Sequence, residues 1–477
     1  MRRLPIVLTL ALLATLLAAL GSTAATATTK KPTTVSLRLA PDRVTFYDNG
    51  TVEPTGLVAQ VGPAKDGRVV TFQRQDGTAW RTLARLRTDT TGRAYLPLPV
   101  TGTGRTSYRV AVSGTTYYKP AVSTTRSLTV TPNTDCRPVR SPAVPGTNGE
   151  ATCLLARLDT WQRNRLMAVG QQVNVSSKDA WAAPLTGITP PVVGFDLEEL
   201  SVGDKPVSEG PYVDANVQGL LDRAKAGAVL VASWHATNPM TGEPYGSARI
   251  GLGQLTTPGN AAYDAFWADW TDKLALLKRF QDGDSDGDGD SGPDDGERTA
   301  VVVRPLHEVN GDFFWWGQPN PATYRTIWAE MQSRAISADV RNIVWAYSGN
   351  RKTVSTKNPA DYVPTAVDVG GLDSYDPETG RGNAADVLGL EGYAAIDQSP
   401  SVTRMALTEV GPHSSRDGSW NPAVITATAR KAQISPLWAL LWFDDTGYAQ
   451  AGKKQITSLA GGRAWLRSCL NGLCYLR

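Results

Sequence analysis

Histidine is nearly missing from this chain, with three in 477 residues, and cysteine stops at four. Charge of one sign is not in excess either: 48 basic and 45 acidic side chains leave a formal +3. Past the N-terminus no apolar run approaches the ~20 residues that a bilayer span requires. Each shortage excludes something. Four cysteines without a CxxC pair argue against a zinc-ribbon protein. Near-neutral charge gives no general attraction to nucleic acid or to an anionic membrane surface. With 41% hydrophobic and 19% charged residues, the chain lies outside disordered and collagen-like compositions. What it has in plenty is tryptophan, 14 in all. A Trp-rich, weakly charged protein suits a neutral, flat-faced ligand better than a phosphorylated one.

The N-terminus reads as a secretory leader over residues 1–27. Arg2 and Arg3 give a positive start, Leu4 to Leu20 is almost wholly apolar, and Ala25-Thr26-Ala27 supplies the small-x-small cleavage pattern. The alternative is a signal anchor that stays in the membrane, but the apolar run is short for one. Removal of Arg2 and Arg3 lowers the formal charge from +3 to +1. The expected location is therefore extracellular. In that oxidising setting Cys136, Cys153, Cys469 and Cys474 read as two disulfides. Three pairings are open; closing the local loops, Cys136–Cys153 and Cys469–Cys474, is the simplest.

Two domains are expected after a Thr/Lys/Pro linker at 28–33. Residues 34–132 carry short alternating bursts, at Val35-Ser-Leu-Arg-Leu, Val69-Val-Thr-Phe, Tyr108-Arg-Val-Ala-Val and Ser127-Leu-Thr-Val. Turn residues separate them, the pattern of an all-β sandwich. This part resembles the cysteine-free immunoglobulin-like modules of secreted bacterial enzymes. Trp80, Tyr117 and Tyr118 could stack on a sugar there, or serve as plain sandwich core or rim.

Residues 136–477 follow another grammar. Eight apolar runs recur, beginning at Leu166, Val192, Ala228, Ala300, Asn342, Val367, Met405 and Leu437, with helix-like segments between several of them. One of these, Tyr263 to Phe280, sets Phe266, Trp267, Trp270, Leu274 and Leu277 on a single face. Strands alternating with helices imply a parallel sheet, and eight of them suit a (β/α)8 barrel of the α/β class.

In such barrels the chemistry sits at the C-terminal ends of the strands. Those ends here read Ser233-Trp234-His235, Arg304-Pro-Leu-His307-Glu308, Asp373-Ser-Tyr375, Thr408-Glu409 and Trp442, and all three histidines, His235, His307 and His413, follow such a run. Glu308 and Glu409 are expected to face each other across the barrel mouth. Two opposed carboxyl groups beside Trp faces fit hydrolysis of a glycosidic bond, one protonating the leaving oxygen and the other meeting the developing positive charge. The alternative is that the two glutamates pair with Arg304 and Arg404 as ordinary strand-end residues.

The fourteen residues from Arg304 to Gly317, Arg-Pro-Leu-His-Glu-Val-Asn-Gly-Asp-Phe-Phe-Trp-Trp-Gly, resemble the acid/base signature of glycoside hydrolase family 26, the endo-β-1,4-mannanases. Gly170-Gln-Gln, Gly194-Phe-Asp196, Ser233-Trp-His235, Gly371-Leu-Asp-Ser-Tyr375, Thr408-Glu409 and Leu441-Trp442 agree in order. The resemblance spans roughly residues 140–460. It implies a retaining enzyme with Glu308 as general acid/base and Glu409 as nucleophile. It further implies that His307 and Tyr375 position these carboxylates. Trp234, His235, Asn310, Trp315, Trp316 and Trp442 would then contact the sugar. Two adjacent tryptophans cannot both face one core on a regular element, so at least one of Trp315 and Trp316 is expected to line the cleft. The expected substrate is mannan, galactomannan or glucomannan. Mixed-linkage β-glucan and β-1,3-xylan, which some family members cut, form the runner-up. A carbohydrate-binding protein on an inactive barrel is the non-enzymatic alternative. The expected partner is a plant or microbial β-linked polysaccharide met by a monomer, with no nucleic acid, no membrane once the leader is gone, and no cofactor for catalysis.

An acidic insert runs from Asp282 to Glu297. Counted from Asp284, oxygens fall at positions 1, 3, 5 and 12 of a calcium-type loop, with Gly289 at 6. Asp284, Asp286, Asp288, Asp290 and Asp295 are the candidate ligands of a structural calcium. The alternative is a solvated acidic loop.

Overall fold

The computed structural model describes residues 30–39, 42–47, 55–98, 100, 103–133, 136–175, 190–201, 207–283, 298–379, 388–414, 417–445, 452–469 and 472–476. The leader expected at 1–27 and the five candidate calcium ligands lie outside these residues. The chain divides into two compact units, one built around residues 58–95 and 107–126 and the other containing the barrel.

Nine strands precede the barrel among the described residues: β1 (Thr34–Leu39), β2 (Arg43–Tyr47), β3 (Thr55–Gly62), β4 (Val69–Asp76), β5 (Ala79–Arg87), β6 (Arg93–Leu98), β7 (Gly104–Val112), β8 (Ala121–Val122) and β9 (Arg126–Asn133). β1, β3 and β6 share a sheet, while β4 pairs antiparallel with both β5 and β7, and β7 with β8. The alternating bursts read from the sequence fall in β1, β4, β7 and β9. Their period of two buries Val70 and Phe72 on β4 and Val110 and Val112 on β7, and leaves intervening residues partly exposed.

The eight apolar runs are eight parallel strands, as expected: β10 (Leu166–Gln172), β11 (Val192–Asp196), β12 (Val229–Trp234), β13 (Val301–Pro305), β14 (Ile343–Asn350), β15 (Val369–Thr379), β16 (Met405–Ser414) and β17 (Trp438–Leu441). β10 pairs with both β11 and β17, which closes the barrel, and β18 (Leu473–Tyr475) adds antiparallel to β10. A strand buried on both faces needs apolar residues at both parities, which explains the continuous Val/Ile/Leu runs. One parity (Ala168, Val192, Val231, Val302, Val344, Val369, Ala406, Leu440) faces inward. The other (Val169, Phe195, Ala232, Val303, Trp345, Leu407, Leu441) packs against the helices.

Extending the inward parity to the strand ends brings Gln172, Asp196, Ser233, Arg304, Asn350, Asp373 and Trp442 to one mouth. β16 breaks the parity by one residue. Leu372 is opposite Leu407 but Asp373 is opposite Glu409, so Thr408 is the extra residue of a bulge. Gly371 makes room for it, since a Cβ there would lie 2.4 Å from the Thr408 side chain. The bulge puts Glu409 beside Asp373.

At the opposite end the helix Gly149–Arg163 plugs the barrel. Asn148 caps it by accepting from Ala151 N at 3.0 Å, and Leu154, Leu155, Leu158 and Trp161 join the interior cluster. Beside it Arg404 donates from Nε and Nη2 to the two Asp159 carboxylate oxygens at 2.7 and 3.0 Å, with both side chains buried. Arg404 is thus committed to the barrel floor and does not pair with either glutamate of the mouth. Cys136–Cys153 and Cys469–Cys474 are the two disulfides, the local pairing. Among the described residues no helix is long and apolar enough to cross a membrane.

Removing one partner of a buried pair strands the other charge, so Asp159→Ala lowers stability by about 3–5 kcal/mol. The urea midpoint falls with the slope unchanged, and adding Arg404→Met recovers much of the loss. An unchanged midpoint in Asp159→Ala contradicts this account of the barrel floor.

Candidate active site

Three buried carboxylates meet at the mouth. Glu308, Asp373 and Glu409 each place one oxygen within 4.8 Å of the others. The cation among them is Arg304, itself fully buried. Its Nη1 donates to Asp373 Oδ2 at 2.8 Å and to Ser348 Oγ at 3.2 Å, and its Nη2 donates to Glu409 Oε1. Burial works against the guanidinium charge, but Asp373 and then Glu409 hold its pKa above the usual value, so it stays protonated.

Glu308 and Glu409 have unlike surroundings. Glu409 has the Arg304 guanidinium on one oxygen and accepts from the Tyr375 hydroxyl on the other at 2.7 Å. Burial, then the charge of Glu409, keeps Tyr375 protonated well above its ordinary range, so it remains a donor. Glu308 receives a neutral hydrogen bond from Asn350 Nδ2 at 2.7 Å, its one side-chain hydrogen bond among the described residues. Burial, then the negative charges of Asp373 and Glu409, push its pKa well above the usual carboxyl value. Asp373 is pushed up to about 6, chiefly by burial, with Arg304 pulling the other way. The arrangement therefore offers one proton-bearing acid and one charge-compensated carboxylate across a short gap.

The backbone at Glu308 has φ +53°, and Leu306 two residues earlier has φ +45°. Left-handed conformations at non-glycine residues cost about 1–3 kcal/mol each and persist where their surroundings dictate them. Those surroundings include Glu308 N donating to Ser348 O at 2.9 Å and Trp316 Nε1 donating to His307 O at 2.8 Å.

His235 and His307 meet edge to face with ring centres 4.5 Å apart. His235 Nδ1 lies 2.6 Å from Asp196 Oδ2, which also accepts from Ser233 Oγ at 2.8 Å. Burial presses the His235 pKa down, but the Asp196 charge carries it above the usual value. Among the described residues His307 has no carboxylate on its Nδ1. Burial, then Arg304 and His235, hold it well below the usual value, so it is a neutral imidazole with Nε2 3.9 Å from Glu409 Oε1. The half-buried Trp442 stands 5.8 Å from the His235 ring, and Tyr245 and Phe314 complete the aromatic wall at 4.7 and 5.6 Å. His413 lies four residues beyond Glu409 and is half-exposed.

Several residues expected in the cleft have other work. Trp315 and Trp316 are both fully buried, against the expectation that one would line it. They sit in a loop, not on a regular element, so both can turn inward with rings perpendicular at 5.2 Å. Trp315 Nε1 donates to Ala236 O at 2.7 Å, so the pair fastens the backbone after His235 and at His307. Trp234 has the outward parity of β12 and packs at 5.4 and 5.3 Å on Phe266 and Trp270 of the helix Ala261–Asp282. Asn310 is fully buried, and acts at one remove. Its Nδ2 donates to Asn350 O, and its Oδ1 accepts from Asn350 N at 2.8 Å.

Asn350 is the residue that motif reading missed, together with the pairing of Arg304 to Asp373. Strand parity was the available signal, since Asn350 lies opposite Asp373 in the sheet register. Gln172 also ends its strand at the inward parity, buried and with neither amide atom hydrogen-bonded among the described residues.

The model of glycosyl hydrolase family 26 matches residues 144–460. The chain is 26% identical over 287 residues to mannan endo-1,4-beta-mannosidase A and B of Caldalkalibacillus mannanilyticus, covering 55% of this chain and 49% of that protein. It is 25% identical over 285 residues to a mannan endo-1,4-beta-mannosidase of Bacillus subtilis, covering 54% and 68%. A mannan endo-1,4-beta-mannosidase of Bifidobacterium adolescentis is 26% identical over 223 residues, 44% of this chain and 21% of that protein. Two of these three relatives are thus matched over less than half their length. In fold the chain resembles the catalytic domain of a Bacillus sp. JAMB-750 endo-beta-1,4-mannanase, with TM-score 0.55, 18% identity, and 69% and 92% of the two chains covered. A Cellulomonas fimi endo-beta-1,4-mannanase gives TM-score 0.52 and 22% identity, with coverage of 68% and 75%.

The Asn350 hydrogen bond favours the ionised form of Glu308. Asn350→Ala therefore raises the Glu308 titration midpoint, read by carbon NMR of its side-chain carboxyl. A midpoint that falls or stays fixed contradicts this electrostatic description.

Proposed function

The chain belongs to glycosyl hydrolase family 26, and on that premise we propose that it cuts β-1,4-mannosidic bonds in mannan, galactomannan or glucomannan with retention of configuration. Glu308 is the general acid/base and Glu409 the nucleophile. The observation that carries this reading is their separation, with one oxygen of each within 4.8 Å of the other. Retaining sites hold their carboxyl groups ~5–5.5 Å apart, whereas inverting sites leave ~6.5–9.5 Å for a water. The mannan reading draws on the three mannosidases matched above.

In the first step Glu409 attacks the anomeric carbon while Glu308 passes its proton to the departing oxygen. The mannosyl group is left on Glu409, and the rest of the polymer leaves with a new hydroxyl. In the second step Glu308, now ionised, takes a proton from water, and that water displaces Glu409 with a second inversion. The raised pKa of Glu308 suits the first role. Arg304 and Tyr375 suit the second residue to attack as an anion, because both donate to it before the sugar arrives. Trp442 and His235 stand where the sugar ring is held. Tryptophan gives an apolar plane to sugar C–H bonds, and His235 gives a donor to a hydroxyl.

The same reading covers the rest of the chain. Residues 1–27 direct export, 34–132 form an immunoglobulin-like module and 136–477 the hydrolase domain. The apolar leader and the buried alternation of β4 and β7 support the first two.

Glu308→Ala lowers kcat by about 100- to 10,000-fold, and Glu409→Ala by at least as much. NMR of the first-formed product shows the β-anomer. Against a panel of β-mannan, lichenan, β-1,3-xylan and cellulose, reducing ends appear fastest with mannan. The alkaline limb of kcat/KM lies above the ordinary Glu range of ~4.3, because activity is lost as Glu308 gives up its proton. Full activity in either variant contradicts the assignment, and an α-anomer first contradicts retention.

A further inference from the structure

The near-neutral total charge hides an asymmetry. Residues 30–133 carry fifteen Lys and Arg against six Asp and Glu, whereas residues 134–477 carry thirty-one against thirty-nine. The excess positive charge of the N-terminal strands has no use in the chemistry at the barrel mouth.

Part of it is gathered on one face of one sheet. Residues directly opposite each other across paired strands share a face. The register sets Arg87 opposite Val69, Arg85 opposite Thr71, Thr82 opposite Gln73 and Trp80 opposite Gln75. It sets Gln73 opposite Arg109 and Thr71 opposite Ala111, with Ala111 opposite Val122. None of these side chains is acidic. The other face of the same strands holds the buried Val70, Phe72, Val110 and Val112, so this one faces outward. Arg85, Arg87 and Thr82 are exposed, and Val122 is 56% exposed.

Two of the three arginines are held in place. The Arg109 guanidinium lies 4.2 Å over the Trp80 ring, and its Nε donates to Gln73 Oε1 at 2.8 Å. Arg87 Nη1 donates to Gly67 O at 2.9 Å. A guanidinium held by one contact keeps further N–H groups for a ligand and loses less freedom on binding. We propose that this outer face of β4, β5, β7 and β8 binds a carboxylate-bearing polysaccharide. The arginines take the carboxylates, and Trp80 with Gln73, Gln75 and Thr82 takes the sugar faces and hydroxyls.

β5 ends its sheet, and charge on an edge strand also guards against aggregation. A guard needs no aromatic ring and no arginine pinned over it, and acidic residues would serve it as well. A flat polar face with one Trp suits a glycan chain better than a folded protein, whose interfaces bury several apolar anchors. The surface would tether the hydrolase to walls where acidic and neutral polysaccharides are laid down together.

The test is affinity electrophoresis of the whole chain through gels holding polygalacturonate, neutral mannan, DNA or no polymer. Polygalacturonate retards the chain at low salt, and retardation fades as salt rises. Charge reversal at Arg85→Glu with Arg87→Glu weakens the apparent affinity by about tenfold or more. Trp80→Ala also weakens it, while the control Arg463→Glu with Arg467→Glu on the helix Gly462–Ser468 does not. Thermal melting of each variant checks that it is folded. Three results would each overturn the proposal: no retardation by polygalacturonate at low salt, equal retardation of the parent and the folded Arg85/Arg87 variant, or tighter binding to DNA than to polygalacturonate.

Discussion

One buried guanidinium makes the barrel mouth possible. Two unit charges 4.8 Å apart repel by about 3 kcal/mol even at an effective dielectric of 20, and this site holds three acidic side chains at that range. Arg304 binds two of them, Asp373 and Glu409, and among the described residues Glu308 makes no ion pair. The division of roles follows from that choice of partners. Glu409 receives both Arg304 and Tyr375, while burial and the charges of Asp373 and Glu409 hold the proton on Glu308. Asp373 is fully buried. With Ser348 it fixes the guanidinium that Glu409 depends on.

Geometry at this scale comes from the sheet. Gln172, Asp196, Ser233, Arg304, Asn350, Asp373 and Trp442 continue the inward parity of their strands, whereas His307 and Glu308 lie just past the end of β13. Glu409 is brought into line by the Thr408 bulge and the missing side chain at Gly371. The local strain is at Leu306 and Glu308, where the chain leaves β13, and the buried Trp315 and Trp316 fasten the backbone on either side. The histidines follow the same logic. Two rings in edge contact carry opposite protonation tendencies: Asp196 raises His235, while burial, Arg304 and His235 lower His307.

Much of this was legible in the residues. The eight β-branched runs predicted all eight barrel strands, since a strand covered on both faces leaves no room for polar residues. His-Glu and Thr-Glu at two strand ends located both carboxylates, and Tyr375 could be placed by its end position. Motif reading failed where a residue's neighbours decide its role. Trp234 was expected in the cleft, although strand parity already turns it toward the helix Ala261–Asp282. Trp315 and Trp316 were judged by a rule for regular elements, and a loop is free to bury both. Asn310 was taken for a sugar contact, and its buried amide instead holds Asn350, two loops away in sequence. The charge asymmetry was lost in a whole-chain sum. The expected leader and calcium loop fall outside the described residues.

The central claim is that Glu409, which accepts from both Arg304 and Tyr375, takes the sugar covalently. It is tested most directly by trapping the intermediate. The chain is incubated with a 2-deoxy-2-fluoro-β-mannosyl donor bearing an activated leaving group, digested, and mapped by mass spectrometry. The account predicts one fluoromannosyl unit per chain, ester-linked at Glu409. A label on Glu308 or Asp373, or rapid turnover of the donor with no label at all, would contradict it.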